Sequence, residues 1–294
     1  MLERADEKVA KIFKSLVDIP SLPAAVQRVL LLSEKDSTPG QFADLIATDQ
    51  GLTAKVLRLV NSAFYSLRTP ISSLRHASVL LGTRTLKSLA LSVSVMSLFN
   101  RSCGGFDPLA FWKHSIAVAV ASQKMGSLIL PAFEEDLYVA GLLHETGVAL
   151  MVQYLTQEYA LVLRMARARP LVEAEVEVFG VSHADIGYTL ASRWRLPAVI
   201  CECIRYHETA GGSSKVSNPD IGKAIDLTRF ADQWAIWHGM DFLEPLSGRK
   251  ESKLELPSWV SVTSAEVERV LENLGREVEA RERAFFPQKD SATG

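Results

Sequence analysis

The residues of this chain best suited to chemistry are its histidines. Residues 141–150 read GLLHETGVAL, which sets His144 and Glu145 side by side within an apolar run. An ionised group taken out of water needs a partner, because burying it alone is costly. The chain has six histidines, at positions 76, 114, 144, 183, 207 and 238. Four lie at or beside packed helices: His114 in FWKHSIAVAV and His144 in GLLHE with apolar neighbours, His183 one residue past a helix cap, and His207 at the close of a helix in IRYHE. Imidazole and carboxylate suit borderline divalent cations such as Zn²⁺, Mn²⁺ and Fe²⁺. Neighbouring side chains on a helix diverge by about 100°, so His144 and Glu145 can both reach a cation lying between their directions. The spacing to the other histidines is long and irregular and carries no HExxH-type signal. Two readings stay open: a divalent metal site of iron, manganese or zinc, or neutral imidazoles tying helices together through buried hydrogen bonds.

The elements that must position these residues are helical. Apolar residues recur at helical spacing nearly throughout, and strand-like alternation is scarce. Pro20 and Pro23 precede AAVQRVLLLS, and Thr38 with Pro39 opens the next helix as cap and first residue. Asp49 caps DQGLTAKVLRLV, and Gly82 stops a helix that begins near Ser72 or Ser73. NRSCGGFDP at 100–108 is the clearest break. Beyond it the pattern predicts one helix over FDPLAFWKHSIAVAVASQKMGSLI and one over FEEDLYVAGLLHETGVALMVQY. Further helices follow, capped at Thr156 and Ser182 or opened by Pro197, and an amphipathic helix ends the chain. The predicted division is 1–102, 103–240 and 241–294, the last being an extension with an irregular segment. The predicted fold is an all-α, two-lobed helical bundle.

Composition limits the function. Lys and Arg total 32 and Asp and Glu 34, a net charge of −2 that offers no general attraction for nucleic acid or an anionic membrane. Cys103, Cys201 and Cys203 form no disulfide framework and read as buried thiols in a reducing compartment. The N-terminal residues lack a signal-peptide pattern, and the most apolar stretch, LKSLALSVSVMSLF, is too short to span a bilayer. A soluble, cytoplasmic protein is expected.

Read in order, these residues resemble the HD superfamily of helical metal-dependent phosphohydrolases. His114 matches its isolated histidine, His144 with Glu145 its His-Asp pair, and Asp232 in RFADQWA its distant aspartate. His183 in HADIG and His207 in YHE match the additional histidines of the HD-GYP branch. The segments IPSLPAAVQRVLLL, LIATDQGLTAKVLRLVNSAFYSLRTPISSLRHASVLLG and FWKHSIAVAVAS narrow the resemblance to the HDOD domain, a divergent HD relative. It covers residues 15–210 closely and the helix around Asp232 more loosely. The resemblance implies an HD-like second lobe and a bacterial signalling or regulatory role. It implies action through binding, with a signalling protein of a cyclic-dinucleotide or two-component pathway as partner. It also implies that His114, His144, Glu145, His183, His207 and Asp232 are the metal candidates.

Two departures weigh against catalysis. Glu145 replaces the aspartate of the pair, which displaces its carboxylate by roughly 1.5 Å. Thr146-Gly147-Val148 stands where active relatives have Ile-Gly-Lys, so Val148 removes a cation that would stabilise phosphate charge. A non-catalytic module is therefore expected, with a metal-dependent phosphohydrolase acting on a cyclic dinucleotide or nucleotide as the alternative. In VNSAFYSLRTPISSLRHAS, residues Asn61, Phe64, Tyr65, Arg68 and Arg75 surround a turn. They have either a structural role, Asn61 capping its helix, or a docking role of the kind that exposed Tyr and Arg favour.

Overall fold

The computed structural model describes residues 2–15, 20–32, 37–62, 65, 67–103, 105–243 and 254–286. Among these the architecture is all-α, with a lone antiparallel bridge between Cys103 and Phe106. The helices are α1 (Leu2–Ser15), α2 (Ala24–Leu31), α3 (Pro39–Ala47), α4 (Gln50–Val60), α5 (Leu74–Leu98), α6 (Pro108–Ile129), α7 (Glu134–Leu143) and α8 (Thr146–Tyr154). They continue with α9 (Thr156–Met165), α10 (Leu171–Phe179), α11 (His183–Arg193), α12 (Ala198–Tyr206), α13 (Pro219–Trp237), α14 (Ser264–Leu271) and α15 (Leu274–Phe285).

Local chemistry explains several helix starts. Thr38 and Gln41 form a reciprocal capping box at α3, and Asp49 accepts from the Leu52 amide at α4. Asp107 caps α6, Asn218 caps α13, and Ser182 with Asp185 forms a second box at α11. Each bond satisfies an amide that the first helical turn leaves without an internal partner. The expected cap at Thr156 does not form. Leu155 takes that position, and the Thr156 hydroxyl donates back to the Val152 carbonyl at 2.9 Å.

Two expected single helices are each divided. The run over 133–154 breaks at His144–Glu145, between α7 and α8. The C-terminal run breaks at Glu272–Asn273, between α14 and α15.

The expected partition has cuts at 102/103 and 240/241. The compact units observed are Met1–Ser21 with Met96–Glu272, and Leu22–Val95 with Asn273–Gly294. The described residues of 241–294 fall in both units.

In the larger unit, α6 packs along α7 and α13, and α11 packs on α8 and α12. α1 lies on α11, where the Arg193 guanidinium sits 4.4 Å from the Phe13 ring centroid and the Trp194 indole donates to the Pro20 carbonyl. All three cysteines are free and buried.

The smaller unit contains α2 to α4, most of α5, and α15, which packs on α4. α5 is the one described helix long and apolar enough to cross a membrane by length and composition. It bends at Gly82 (φ 84°, ψ 162°), which leaves residues 83–98 as the continuous part. At 1.5 Å per residue these span about 24 Å, short of the ~30 Å hydrocarbon core.

That Gly82 geometry lies in a region essentially restricted to glycine, and the space around its Cα is open. Gly82→Ala is therefore expected to destabilise through the backbone alone, by about 1–3 kcal/mol. Urea unfolding with an unchanged m-value checks this.

Candidate metal centre

The site is built where six helices of the larger unit meet. His114 is on α6, His144 and Glu145 form the joint between α7 and α8, and His183 is the first residue of α11. His207 follows α12, and Asp232 is on α13. The joint matters: leaving helical register there lets the two adjacent side chains serve different parts of the cluster. Helices approach closely around it. A Cβ on Gly147 would lie 1.9 Å from the His183 carbonyl oxygen, and one on Gly141 would lie 2.8 Å from Ala119 Cα. Only glycine lets α8 meet the start of α11, and α7 meet α6, at these separations.

All six predicted ligand residues come together. His114 Nε2 is 3.2 Å from His144 Nε2 and 3.2 Å from Asp232 Oδ1, which is 3.6 Å from His144 Nε2. His183 Nε2 is 3.3 Å from His207 Nε2 and 3.0 Å from Glu145 Oε2. The His144 and His207 rings stand edge to face at 4.9 Å, which joins the two subsets. Potential ligand atoms fall into two groups, His114/His144/Glu145 and Glu145/His183/His207/Glu208, with Glu145 common to both.

The outer ring nitrogens decide which way the inner ones face. Nδ1 of His114 contacts the Met240 carbonyl at 2.8 Å, that of His144 the Gly141 carbonyl at 2.7 Å, and that of His207 the Ile204 carbonyl at 2.8 Å. A carbonyl can only accept, so each Nδ1 carries a proton. His183 Nδ1 is bound instead to Glu175 Oε2 at 2.7 Å. In a neutral ring this leaves Nε2 as a bare lone pair, and two such pairs would meet head-on at 3.2–3.3 Å. A proton or a metal ion between them is required. The donor set therefore fits a divalent cation held by His114, His144, His183, His207, Glu145 and Asp232. When bound, such a cation supplies Lewis acidity and cancels carboxylate charge.

Residues 19–210 match the family model of the HDOD domain. The chain belongs to the HDOD family. It is 27% identical over 204 residues to an uncharacterized protein of Treponema pallidum (strain Nichols), an alignment spanning 67% of this chain but only 39% of that relative. A crystal structure of an HDOD domain protein from Geobacter sulfurreducens superimposes with a TM-score of 0.81 at 25% identity. It covers 98% of this chain and 100% of that one. A structure from Shewanella amazonensis SB2B, named as a candidate phosphohydrolase, shares the fold with a TM-score of 0.73 at 23% identity, over 95% and 98% of the two chains.

Several residues of this HDOD site escaped the sequence reading. Glu175 is fully buried beneath His183, and Tyr159 donates to it. The legible signal was its place on the apolar side of α10, one turn after buried Leu171. Glu208, partly exposed, adds a carboxylate beside His207. Phe242 packs against the His114 ring at 5.4 Å. Val148 is buried, and its position offers only an aliphatic side chain.

The second group of candidates lies in the smaller unit. Asn61 makes two bonds to Ile71, donating to its carbonyl at 2.7 Å and accepting from its amide at 2.6 Å, which closes the turn. Arg75 is paired with Asp44 through two nitrogens. Arg68 is exposed and Tyr65 half-buried, while Phe64 lies outside the described residues.

Titration follows from the geometry. Burial opposes charge on His183, but the carboxylates of Glu145 and Glu175 outweigh it and raise its pKa to about 10. His207 is pushed down to about 3 by burial and by the charge of His144. Burial also opposes charge on His114, yet its bond to Asp232 leaves it raised. Asp232 is held well below the carboxylate range by His114 and His144, against the effect of burial.

In the metal-free protein, the unfolded chain binds a proton at His207 that the fold refuses between pH about 6.5 and 3, so stability falls as pH drops through that window. The fold keeps a proton on His183 that the unfolded chain releases between about 6.5 and 10, so stability falls as pH rises there. Thermal midpoints measured across pH with chelator present are expected to peak near pH ~6.5, the ordinary histidine value.

Proposed function

We propose that this HDOD protein is a non-catalytic regulatory module of bacterial signalling whose buried centre holds a divalent cation. The observation that carries this reading is the burial of the centre. His114, His144, Glu145 and His183 have 0% relative exposure, His207 has 1% and Asp232 has 6%. A phosphodiester must touch the metal and its activated water to be cleaved. Here imidazoles and carboxylates face one another, and Phe242 packs against His114. With Val148 in the lysine position and Glu145 longer than aspartate, the centre is suited to holding and sensing an ion.

The competing reading is a metal-dependent phosphohydrolase of cyclic dinucleotides or nucleotides. It is favoured by the sharing of Glu145 between two ligand groups and by the partly exposed Glu208 beside them. Iron, manganese and zinc all suit the donor set. Three buried free thiols agree with a reducing compartment, and the cytoplasm is the assigned location.

Protein purified without an affinity tag is expected to retain metal by elemental analysis and to lose it in His144→Ala. Cyclic dinucleotide incubated with it and Mn²⁺ or Fe²⁺ is expected to stay intact. Turnover that disappears in His144→Ala would overturn the non-catalytic reading.

Partner docking is assigned to the 61–75 turn, where Arg68 is exposed. The partner is a signalling protein of the kind found in cyclic-dinucleotide or two-component pathways. Arg68→Glu is expected to lower partner recovery in a pull-down without changing the thermal midpoint, and unchanged recovery counts against this surface.

A further inference from the structure

Of the four imidazoles in the centre, three have backbone carbonyls behind Nδ1 and one has a carboxylate. That carboxylate, Glu175 on α10, is fully buried. Both of its oxygens are engaged. Oε1 accepts from the Tyr159 hydroxyl of α9 at 2.6 Å, and Oε2 accepts from both the backbone amide and the Nδ1 of His183, at 2.8 and 2.7 Å. The two bonds to one oxygen fix the first residue of α11 as a unit, backbone and ring together. A buried anion behind Nδ1 also draws on the ring proton and makes the opposite nitrogen a stronger donor. A carbonyl, being neutral, does this less.

We propose that Glu175 is a positioning residue that makes His183 the anchoring ligand of the centre, with Tyr159 sharing the carboxylate's charge from the far side. This rests on the reading that the centre holds a cation. If Glu175 were only a brace between α9, α10 and α11, its charge would be immaterial, and removing either partner of the brace would act alike.

Glu175→Gln keeps the shape and the capacity to accept from His183 but removes the charge. Tyr159→Phe keeps the charge on His183 and removes one strut. Affinity for Zn²⁺ and Mn²⁺ is read by competition with a chromophoric chelator, alongside thermal midpoints of the metal-free proteins. Glu175→Gln is expected to weaken binding about ten- to hundredfold, while Tyr159→Phe stays at or above the wild-type affinity. Equal affinity in Glu175→Gln, or a tenfold loss in Tyr159→Phe, would overturn the inference. The Tyr159→Phe arm decides alone if Glu175→Gln does not fold. A wild-type protein that binds neither metal overturns the cation reading itself, whereas a loaded wild type with an equally tight Glu175→Gln overturns only the role of Glu175.

Discussion

The centre depends on four hydrogen bonds that point away from it. Each imidazole is held from behind at Nδ1, and that hold fixes which nitrogen is protonated and which faces inward. Without these bonds the rings could rotate or exchange tautomers, and four histidines in one cavity would be an ordinary polar network. With them, two pairs of Nε2 atoms converge and cannot rest unless positive charge lies between. In the metal-free state protons can supply that charge: the carboxylates of Glu145 and Glu175 raise the pKa of His183 to about 10, and Asp232 raises that of His114. These two rings face the carboxylates of Glu145, Glu175 and Asp232. On the proposed reading the site exchanges protons for a cation, and the carboxylates favour either occupant.

Helix geometry supplies the remaining constraint. His144 and Glu145 are useful because the chain leaves helical register between α7 and α8, and because two glycines allow the flanking helices to sit against neighbouring backbone. Capping at Ser182 starts α11 at His183, so the ring that needs a carboxylate behind it stands at a fixed terminus rather than along a helix face. Packing and chemistry meet at the same residues, which makes the centre part of the core of its unit.

Much of this was legible in the residues. Thr38, Asp49 and Ser182 announce helix starts because a short polar side chain bonds to backbone three residues ahead, an interaction contained in the local sequence. The six candidate ligand residues could be named from their order and their resemblance to a known family. Their convergence could not be read from spacing, since it is set by the turns between helices. The break at His144–Glu145 was hidden because apolar residues continue through it with no glycine or proline at the joint itself. The Met240 carbonyl left no trace, because every residue has one. Glu175 was readable in principle, as a charge on a buried helix face, but nothing in the sequence tied it to a histidine eight residues later.

The identity of the groups behind the four rings has an unequal evolutionary consequence. Main-chain carbonyls at Gly141, Ile204 and Met240 are present whatever residue is encoded there, so no missense change can delete the acceptor itself. The fourth support is a side chain, and one altered codon at position 175 removes its charge. Genetic robustness is thus spread unevenly around the centre: three arms are sheltered by the polypeptide backbone, and the His183 arm is where drift can most directly detune it.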